Sequence, residues 1–515
     1  MRRDYSAQIC TATFSSSAQR FERLSADAKS GSMASTKTAS NARVIGLAVA
    51  GAVGGFLFGF DSSVVNGAVN SIQSQFGLAP TVTGLAVASA LIGCAIGAIL
   101  GGRIGDRFGR IPTMVVAAIL FFISGIGAGL APDVWLFIVF RLIGGVGIGV
   151  ASVVAPAYIA EISPKTLRGR LASLQQLAIT LGIFAALLSD TIFANSAGDA
   201  SAKFWFGLEA WRWMFIAGIV PAAVYGILSL TLPESPRFHV LKGDDAKAKE
   251  QIQSLWPGQD VATALGEMKE SVKEDEKSQK GSLRGDRFGL KPIVWVGIIL
   301  SIFQQFVGIN VIFYYSTTLW RAVGFSEKDS FTVSVITSIT NVLVTLIAIF
   351  LVDKVGRRPI LLVGSIGMTV ALAAMALAFS QANVSGSHVS LPGGWGALAL
   401  IAANVFVVAF GASWGPIIWV LLGEIFPNRI RARALGMGAA AQWIANFVVT
   451  ISFPPLSAFS LPLTYGLYAL FAALSFFFVL GVVPETNGVS LEETGGLKRD
   501  QKAGAMATKE KSRAA

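Results

Sequence analysis

Apolar runs of roughly 20 residues recur twelve times along the chain, each long enough to cross a bilayer core as an α-helix. Their approximate limits are residues 44–69, 83–102, 111–131, 134–157, 171–193, 212–232, 292–318, 331–352, 358–379, 396–422, 434–455 and 462–483. Several are longer than a bilayer needs, which leaves room for tilt or for breaks within the helix. The pattern predicts an all-α polytopic membrane protein with twelve transmembrane helices. An even number of spans puts both termini on one side.

The polar residues between the spans set the orientation, because cytoplasmic loops collect Lys and Arg. The loops after spans 2, 4, 8 and 10 carry Arg103, Arg107 and Arg110; Lys165, Arg168 and Arg170; Lys354, Arg357 and Arg358; and Arg429, Arg431 and Arg433. The opposite loops offer only Lys203 and Arg212, then Arg321 and Lys328. The basic loops and both termini are therefore expected in the cytoplasm, and the chain in the cell membrane. A net charge of +11 could suggest nucleic acid, but its placement assigns it to topology and no nucleic-acid partner is expected. With 53% hydrophobic and only 14% charged residues, the composition is far from that of a soluble domain. Cys10 and Cys94 lie in unlike contexts and His239 and His388 form no cluster, so neither a disulfide framework nor a metal site is proposed. With no GxSxG elbow or phosphate loop either, no cofactor and no enzymatic activity are expected.

The two halves repeat. GDRFGRIP at 105–112 matches VDKVGRRP at 352–359, EISPKTLRGR at 161–170 matches EIFPNRIRAR at 424–433, and LPESPR at 232–237 is echoed by VPETNG at 483–488. The recurrence in one order predicts two six-helix bundles, residues 43–233 and 292–484, with a binding site between them near mid-membrane. Between them, 234–291 has charges at helical spacing and reads as two to four short amphipathic helices on the cytoplasmic face. Residues 1–42 are polar, lack the apolar core of a secretory signal, and read as a disordered tail or an upstream extension with Met33 as the start. Residues 485–515 read as a polar cytoplasmic tail.

Span 1 contains the stretch GGFLFGFDSSVVNGAV, which places Asp61 in apolar surroundings. Such a carboxylate faces an interior cavity and has a partner, and the arginine within the apolar part of the first six spans is Arg141. Glycines at 144, 145, 147 and 149 let that helix approach a neighbour closely. Desolvation raises the pKa of such an aspartate and the arginine lowers it. Moving it from about 3.9 to about 7 takes roughly 4 kcal/mol. A static pair joining two helices is the alternative. Span 7 carries Gln304, Gln305 and Asn310. On a regular helix Gln304 and Asn310 would point roughly 120° apart, so one cavity takes all three only if the helix opens near Gly308. Amides donate and accept at once, which suits sugar hydroxyls, although a single membrane amide more often joins helices.

The motifs GRIGDRFGR, RLIGGVGIG, PAYIAEISPKTLRG, PESPR, QQFVGINVIFYY, DKVGRRP, WGPIIWVLLGEIFP and PETNG, in this order, resemble the sugar porter family of the major facilitator superfamily. The pattern is similar to that of bacterial proton-coupled xylose and glucose symporters, over roughly residues 43 to 492. Ile111, Val307, Ala432 and Asn487 depart from the family's usual residues, and only Val307 falls near the expected sugar site. The resemblance implies that Asp61 pairs with Arg141 and carries the proton. It implies sugar contacts from Gln304, Gln305 and Asn310 and from Gln176, Asn341 and Gln442. Gly415 joins this expected site, with Trp419 and Trp443 stacking on or closing over the sugar rather than sitting in an interfacial belt. Tyr314 and Tyr315 are expected to gate the outer entrance. Charged residues at the cytoplasmic helix ends are expected to latch the outward-open state through inter-helix salt bridges: Asp106, Arg107 and Arg110 with Glu161 and Arg168; Asp353, Arg357 and Arg358 with Glu424 and Arg431; and Glu234 with Arg237. Ordinary topogenic charge is the alternative. The sequon NVS at 383–385 is read as chance.

These readings converge on an alternating-access symporter that takes a monosaccharide, hexose or pentose with glucose favoured, together with a proton. Its partners are the sugar, the proton and the lipid bilayer, and a monomer is expected. An uncoupled uniporter of the same fold is the nearest alternative. A transport-inactive sensor is disfavoured by the short segment after span 12. Selection among sugars is left to side chains such as Phe56, Phe313 or Val307.

Overall fold

The computed structural model describes residues 42–164, 167–280, 282–285, 289–385, 388–427 and 430–486. Expectations for residues 1–41 and 487–515 lie outside it, as do the side chains of 168–170, 172, 276–280, 350–354, 383–385, 388–390 and 432. Twelve helices are long and apolar enough to cross a membrane: Ala42–Gln75, Pro80–Phe108, Arg110–Leu130, Val134–Ile162, Ser173–Ala197 and Ala210–Thr231, then Pro292–Tyr314, Glu327–Ile349, Arg357–Ser380, Trp395–Ile425, Arg433–Phe459 and Leu461–Gly481. They are called spans 1 to 12. Large apolar side chains point outward along them, among them Leu230, Val363 and Val370, as a lipid-facing surface requires.

Glycine sets the closest helix approaches. A Cβ at Gly145 on span 4 would stand 2.0 Å from the Ala90 carbonyl oxygen of span 2, and one at Gly149 would stand 2.2 Å from that of Cys94. Spans 2 and 4 therefore meet backbone to backbone, which is the neighbour that the glycine run after Arg141 calls for.

Several spans are broken. Span 1 turns at Val64 before the segment Val65–Gln75. Span 7 ends a first helix at Phe306 and starts a second at Ile309, with Gly308 between them at φ +83°. This is the opening expected near Gly308; any other residue would be strained there. Span 10 breaks between Gly411 and Trp414.

Three helices, Pro236–Leu241, Asp245–Leu255 and Val261–Lys280, join spans 6 and 7. They lie at the end bearing the Arg-rich loops, here the basic end. Trp256 Nε1 donates to the Ile162 carbonyl at 3.0 Å and ties this layer to the end of span 4. Between spans 9 and 10, Asn383–Ser385 and His388–Ser390 pair as a short antiparallel hairpin; the sequon falls in its first strand.

Candidate transport site

Asp61 lies three residues before the turn in span 1. Arg141 Nη1 donates to Asp61 Oδ2 at 2.8 Å, with the arginine side chain 1% exposed and the aspartate 13%. The guanidinium also lies over the Phe215 ring, 5.5 Å from its centroid. Gly144, one turn beyond Arg141, leaves space for Ser124 beside this pair: a Cβ there would stand 2.3 Å from Ser124 Oγ, while Asp61 Oδ1 would be in ordinary contact at 3.6 Å. Beside the carboxylate is a cavity of about 10 Å³ lined by Leu57, Phe60, Phe121 and Phe215, room for about one water. Arg141 Nε meets no hydrogen-bond partner. The pair is thus enclosed and incompletely satisfied.

The amides of span 7 divide into two roles. Gln304 is buried, and its Nε2 donates to the carbonyls of Trp414 at 3.0 Å and Gly415 at 3.3 Å. Those carbonyls belong to the start of the second half of span 10, so Gln304 holds that break. Asn310 Nδ2 donates to Gln305 Oε1 at 2.6 Å across the Gly308 opening, and these two amides therefore share one face. Asn341 on span 8 is buried beside Gly411 at the span 10 break. Gln176 on span 5 is half-buried. Gln442 Oε1 is buried without a partner, a vacant acceptor of the kind that a polyhydroxylated ligand satisfies. Trp443 packs against Phe58 of span 1 with ring centroids 5.8 Å apart, and so bridges the two halves. Trp419 is 43% exposed.

At the far end, opposite the basic loops, the halves are pressed together. The Thr317 N–H donates to Asn66 Oδ1 at 3.0 Å, Thr318 Oγ1 donates to Asn70 Oδ1 at 3.1 Å, and the Ala200 N–H donates to Glu327 Oε1 at 2.9 Å. A Cβ on Gly84 of span 2 would stand 2.4 Å from the Ile451 carbonyl oxygen of span 11. Tyr314 and Tyr315 are buried just inside this closure, and the Tyr315 hydroxyl donates to the Thr450 carbonyl at 2.9 Å.

The basic end holds a cavity of about 1150 Å³, lined by Asp106, Arg110, Ala157 and Glu161 of the first half, Arg237 and other residues of the linker helices, and Leu435 of span 11. The structure is closed at the far end and hollow at the basic end.

Two charge clusters repeat at the basic end. Arg110 pairs with Asp106 at 2.7 Å and with Glu161 at 2.9 Å, and Arg357 pairs with Glu424 at 3.0 Å. Glu234 accepts from the backbone N–H groups of Arg110 at 3.0 Å and Ile111 at 3.2 Å, while Glu485 accepts from those of Arg357 at 3.0 Å and Arg358 at 3.1 Å. Each glutamate caps the N-terminus of a span, where donors are free and negative charge is favoured. Gly109 and Gly356 precede these caps at φ +107° and +95°. Each of these pairs lies within one half. Arg237 reaches Glu161 at 3.7 Å and pairs with Asp275 of the linker. Arg107 lies exposed over the Phe108 ring, Arg358 donates to the Leu480 carbonyl at 2.9 Å, and Arg431 donates to the Phe426 carbonyl at 3.2 Å. The side chains of Arg168 and Asp353 lie outside the described residues.

Four residues of this arrangement escaped the sequence reading. Asn66 and Thr317 carried no sequence signal, since they matter only where the halves meet. Glu485 was visible as the counterpart of Glu234 in the repeated PE pair. Asp190, a buried carboxyl in span 5, carried the same signal as Asp61: a lone acid in an apolar run.

The model for the family described as sugar (and other) transporters matches residues 47–496. The glucose transport protein of Synechocystis sp. is 51% identical over 463 residues, covering 89% of this chain and 98% of that protein. The D-xylose-proton symporter of Escherichia coli is 36% identical over 490 residues, covering 88% and 95%. Among solved structures, the partially occluded inward-open conformation of the E. coli xylose transporter XylE superposes with a TM-score of 0.75 at 35% identity, over 87% of this chain and 99% of that one. Its inward-open conformation gives 0.74 at 35%, over 88% and 99%. With its twelve spans, the chain belongs to the sugar transporter family of the major facilitator superfamily and is a multi-pass membrane protein.

Proposed function

We propose that this protein imports a monosaccharide, glucose foremost, together with a proton, by alternating access. The basic end then faces the cytoplasm, and the structure is the inward-open stage. The observation that carries the reading is the enclosed Asp61–Arg141 pair. An uncoupled carrier has no need of a titratable acid in the membrane interior, where an unpaired charge is expensive. The two curated relatives named above, one a glucose transport protein and one a xylose–proton symporter, support the substrate class and the proton.

In this reading Asp61 accepts a proton from outside while the far end is open. Neutralised, it loses the charge that holds Arg141, and span 1 is freed to move against span 4. Sugar hydroxyls exchange bonds with Gln305, Asn310 and Gln442, assisted by Gln176 and Asn341, while Trp419 and Trp443 supply apolar faces to the ring. Gln304 and Gly415 frame the site through the span 10 break. Sugar binding draws the halves together at the far end, where Tyr314 and Tyr315 become buried, and the cavity at the basic end opens. Sugar and proton leave there, and Asp61 returns to Arg141. In the outward-open stage the charge clusters at the basic end meet across the halves and hold that end shut. The membrane potential adds about 2.3 kcal/mol per charge per 100 mV to this import. The linker and both bundles move as three units in this cycle, residues 234–291 lying between 43–233 and 292–484.

The test is uptake of labelled glucose into proteoliposomes under an imposed inward proton gradient. Accumulation above equilibrium that a protonophore collapses is expected. Uptake that stops at equilibrium would make the protein a uniporter.

A further inference from the structure

Span 5 carries Asp190, a carboxyl in the apolar interior that the transport cycle above does not use. The residue is wholly buried. Its Oδ2 accepts from the Gly67 N–H at 3.2 Å, and its Oδ1 meets no hydrogen-bond partner. Position 67 has no space for a side chain: a Cβ there would stand 2.7 Å from Met214 Sδ and 2.8 Å from the carbons of Asp190.

No cation compensates this acid among the described residues. Charged groups on the elements packed around it are engaged elsewhere. On span 4, Arg141 pairs with Asp61, and Glu161 pairs with Arg110. On the first part of span 6, Arg212 donates to the Gly129 and Ala131 carbonyls and pairs with Glu209. On span 8, Glu327 pairs with Arg321, Asp329 bonds to Ser326, and Lys328 lies on the exposed terminal turn, while Asp353 and Lys354 stand at the opposite end of that helix. The segment Val65–Gln75 of span 1, which covers Asp190, carries no charge. An ionised carboxylate with one donor and no counter-charge is strongly disfavoured in such a place.

We propose that Asp190 is a second proton-binding site, which holds its proton while the far end is closed and exchanges it when the segment Val65–Gln75 moves. Gly67 follows Asn66, whose carbonyl and side-chain oxygens accept from Thr317 across the seam between the halves. The closed seam and the covered acid are thus two sides of one short segment. An ionised Asp190 demands more donors than the closed segment supplies, so ionisation favours displacing the segment and admitting water. Acid on the far side favours closure. This proton enters and leaves on the same side, so it tunes the gate and is not carried with the substrate.

The inference goes beyond the transport reading, and its first test needs no transport. Infrared difference spectra of the purified protein in lipid should show a protonated-carboxyl C=O band at neutral pH. Asp190→Asn, which keeps the shape of the side chain, should remove that band, whereas Asp61→Asn should leave it. Absence of such a band at neutral pH, or its survival in Asp190→Asn, overturns the assignment. The gate role has a separate readout. In a Cys10→Ser, Cys94→Ser background, a reporter introduced as Asn70→Cys should react with an impermeant thiol reagent several-fold faster in alkaline than in acid external medium. Adding Asp190→Asn should flatten that dependence while leaving the proton-to-sugar ratio unchanged. An undiminished pH dependence, or an altered ratio, overturns the gate role.

Discussion

Thr317, just beyond span 7, fastens to Asn66 of span 1: its N–H donates to Asn66 Oδ1 at 3.0 Å, and its hydroxyl donates to the Asn66 carbonyl at 2.5 Å and lies 3.2 Å from Oδ1. Both residues are buried. Asn66 stands in the first turn of the helix Val65–Gln75, and a hydrogen bond across the seam contributes about 0.5–1.5 kcal/mol. Thr317→Val keeps the shape and removes the hydroxyl. The outward-open population should therefore rise about 5-fold, in line with a bias of about 1 kcal/mol. Labelling from outside of a reporter introduced as Thr318→Cys reads that population; an unchanged rate would show that other contacts hold the seam.

Gly84 tests the same closure by steric means. Its missing Cβ lets span 2 lie against the Ile451 carbonyl of span 11, at a distance that no side chain tolerates. Gly84→Leu should hold the far end apart, with sugar still binding from outside and exchange across the bilayer lost. Normal exchange in that variant would place the moving seam elsewhere.

The span 7 amides should separate by readout. Gln304→Ala removes the amide that ties span 7 to the carbonyls of Trp414 and Gly415, so the sugar-free protein should lose about 0.5–1.5 kcal/mol of stability. Gln305→Ala and Asn310→Ala remove one polar pair that faces the opening at Gly308, so they should weaken sugar binding with little effect on the melting temperature of the sugar-free protein. Thermal unfolding with and without glucose distinguishes them. Equal effects of all three on both readouts would dissolve the division.

Glu234 and Glu485 should behave as a matched pair. Each satisfies two backbone N–H groups at the start of a span, and substitution by Gln removes the charge that complements the helix terminus. A loss of about 1 kcal/mol is expected for each. A melting shift in one and none in the other would break the equivalence of the two halves at this position.

Much of this was legible before any coordinates. Twelve runs of apolar residues gave twelve spans, because a helix that must satisfy its own backbone in lipid has few alternatives. Gly308 was legible as a break because polar residues around it could not share a face otherwise. The interruption at Val64 was not: no Gly or Pro marks it, and the Gly67 N–H just beyond it is taken by Asp190 instead. Span 1 also runs on to Gln75 through the polar NSIQSQ, past the expected limit at 69, where its polar side chains meet Ser201 and Trp211 of the same half and Thr318 of the other. The role of Gln304 was hidden for a related reason. Its acceptors lie more than a hundred residues away, on a break in span 10 that the sequence did not announce. Asp61 could be found from its isolation alone, and so could Asp190, which stands likewise as a lone acid in an apolar run.

The central claim is that Asp61 couples the proton to the sugar. Its most direct measurement is a paired assay of Asp61→Asn in proteoliposomes: accumulation of labelled glucose under an inward proton gradient, and sugar exchange without a gradient. Asparagine keeps the size of the side chain and still accepts from Arg141, so the protein should fold and exchange sugar while accumulation disappears. Accumulation at the native level in Asp61→Asn would contradict the account and leave the Asp61–Arg141 pair as a structural joint between two helices.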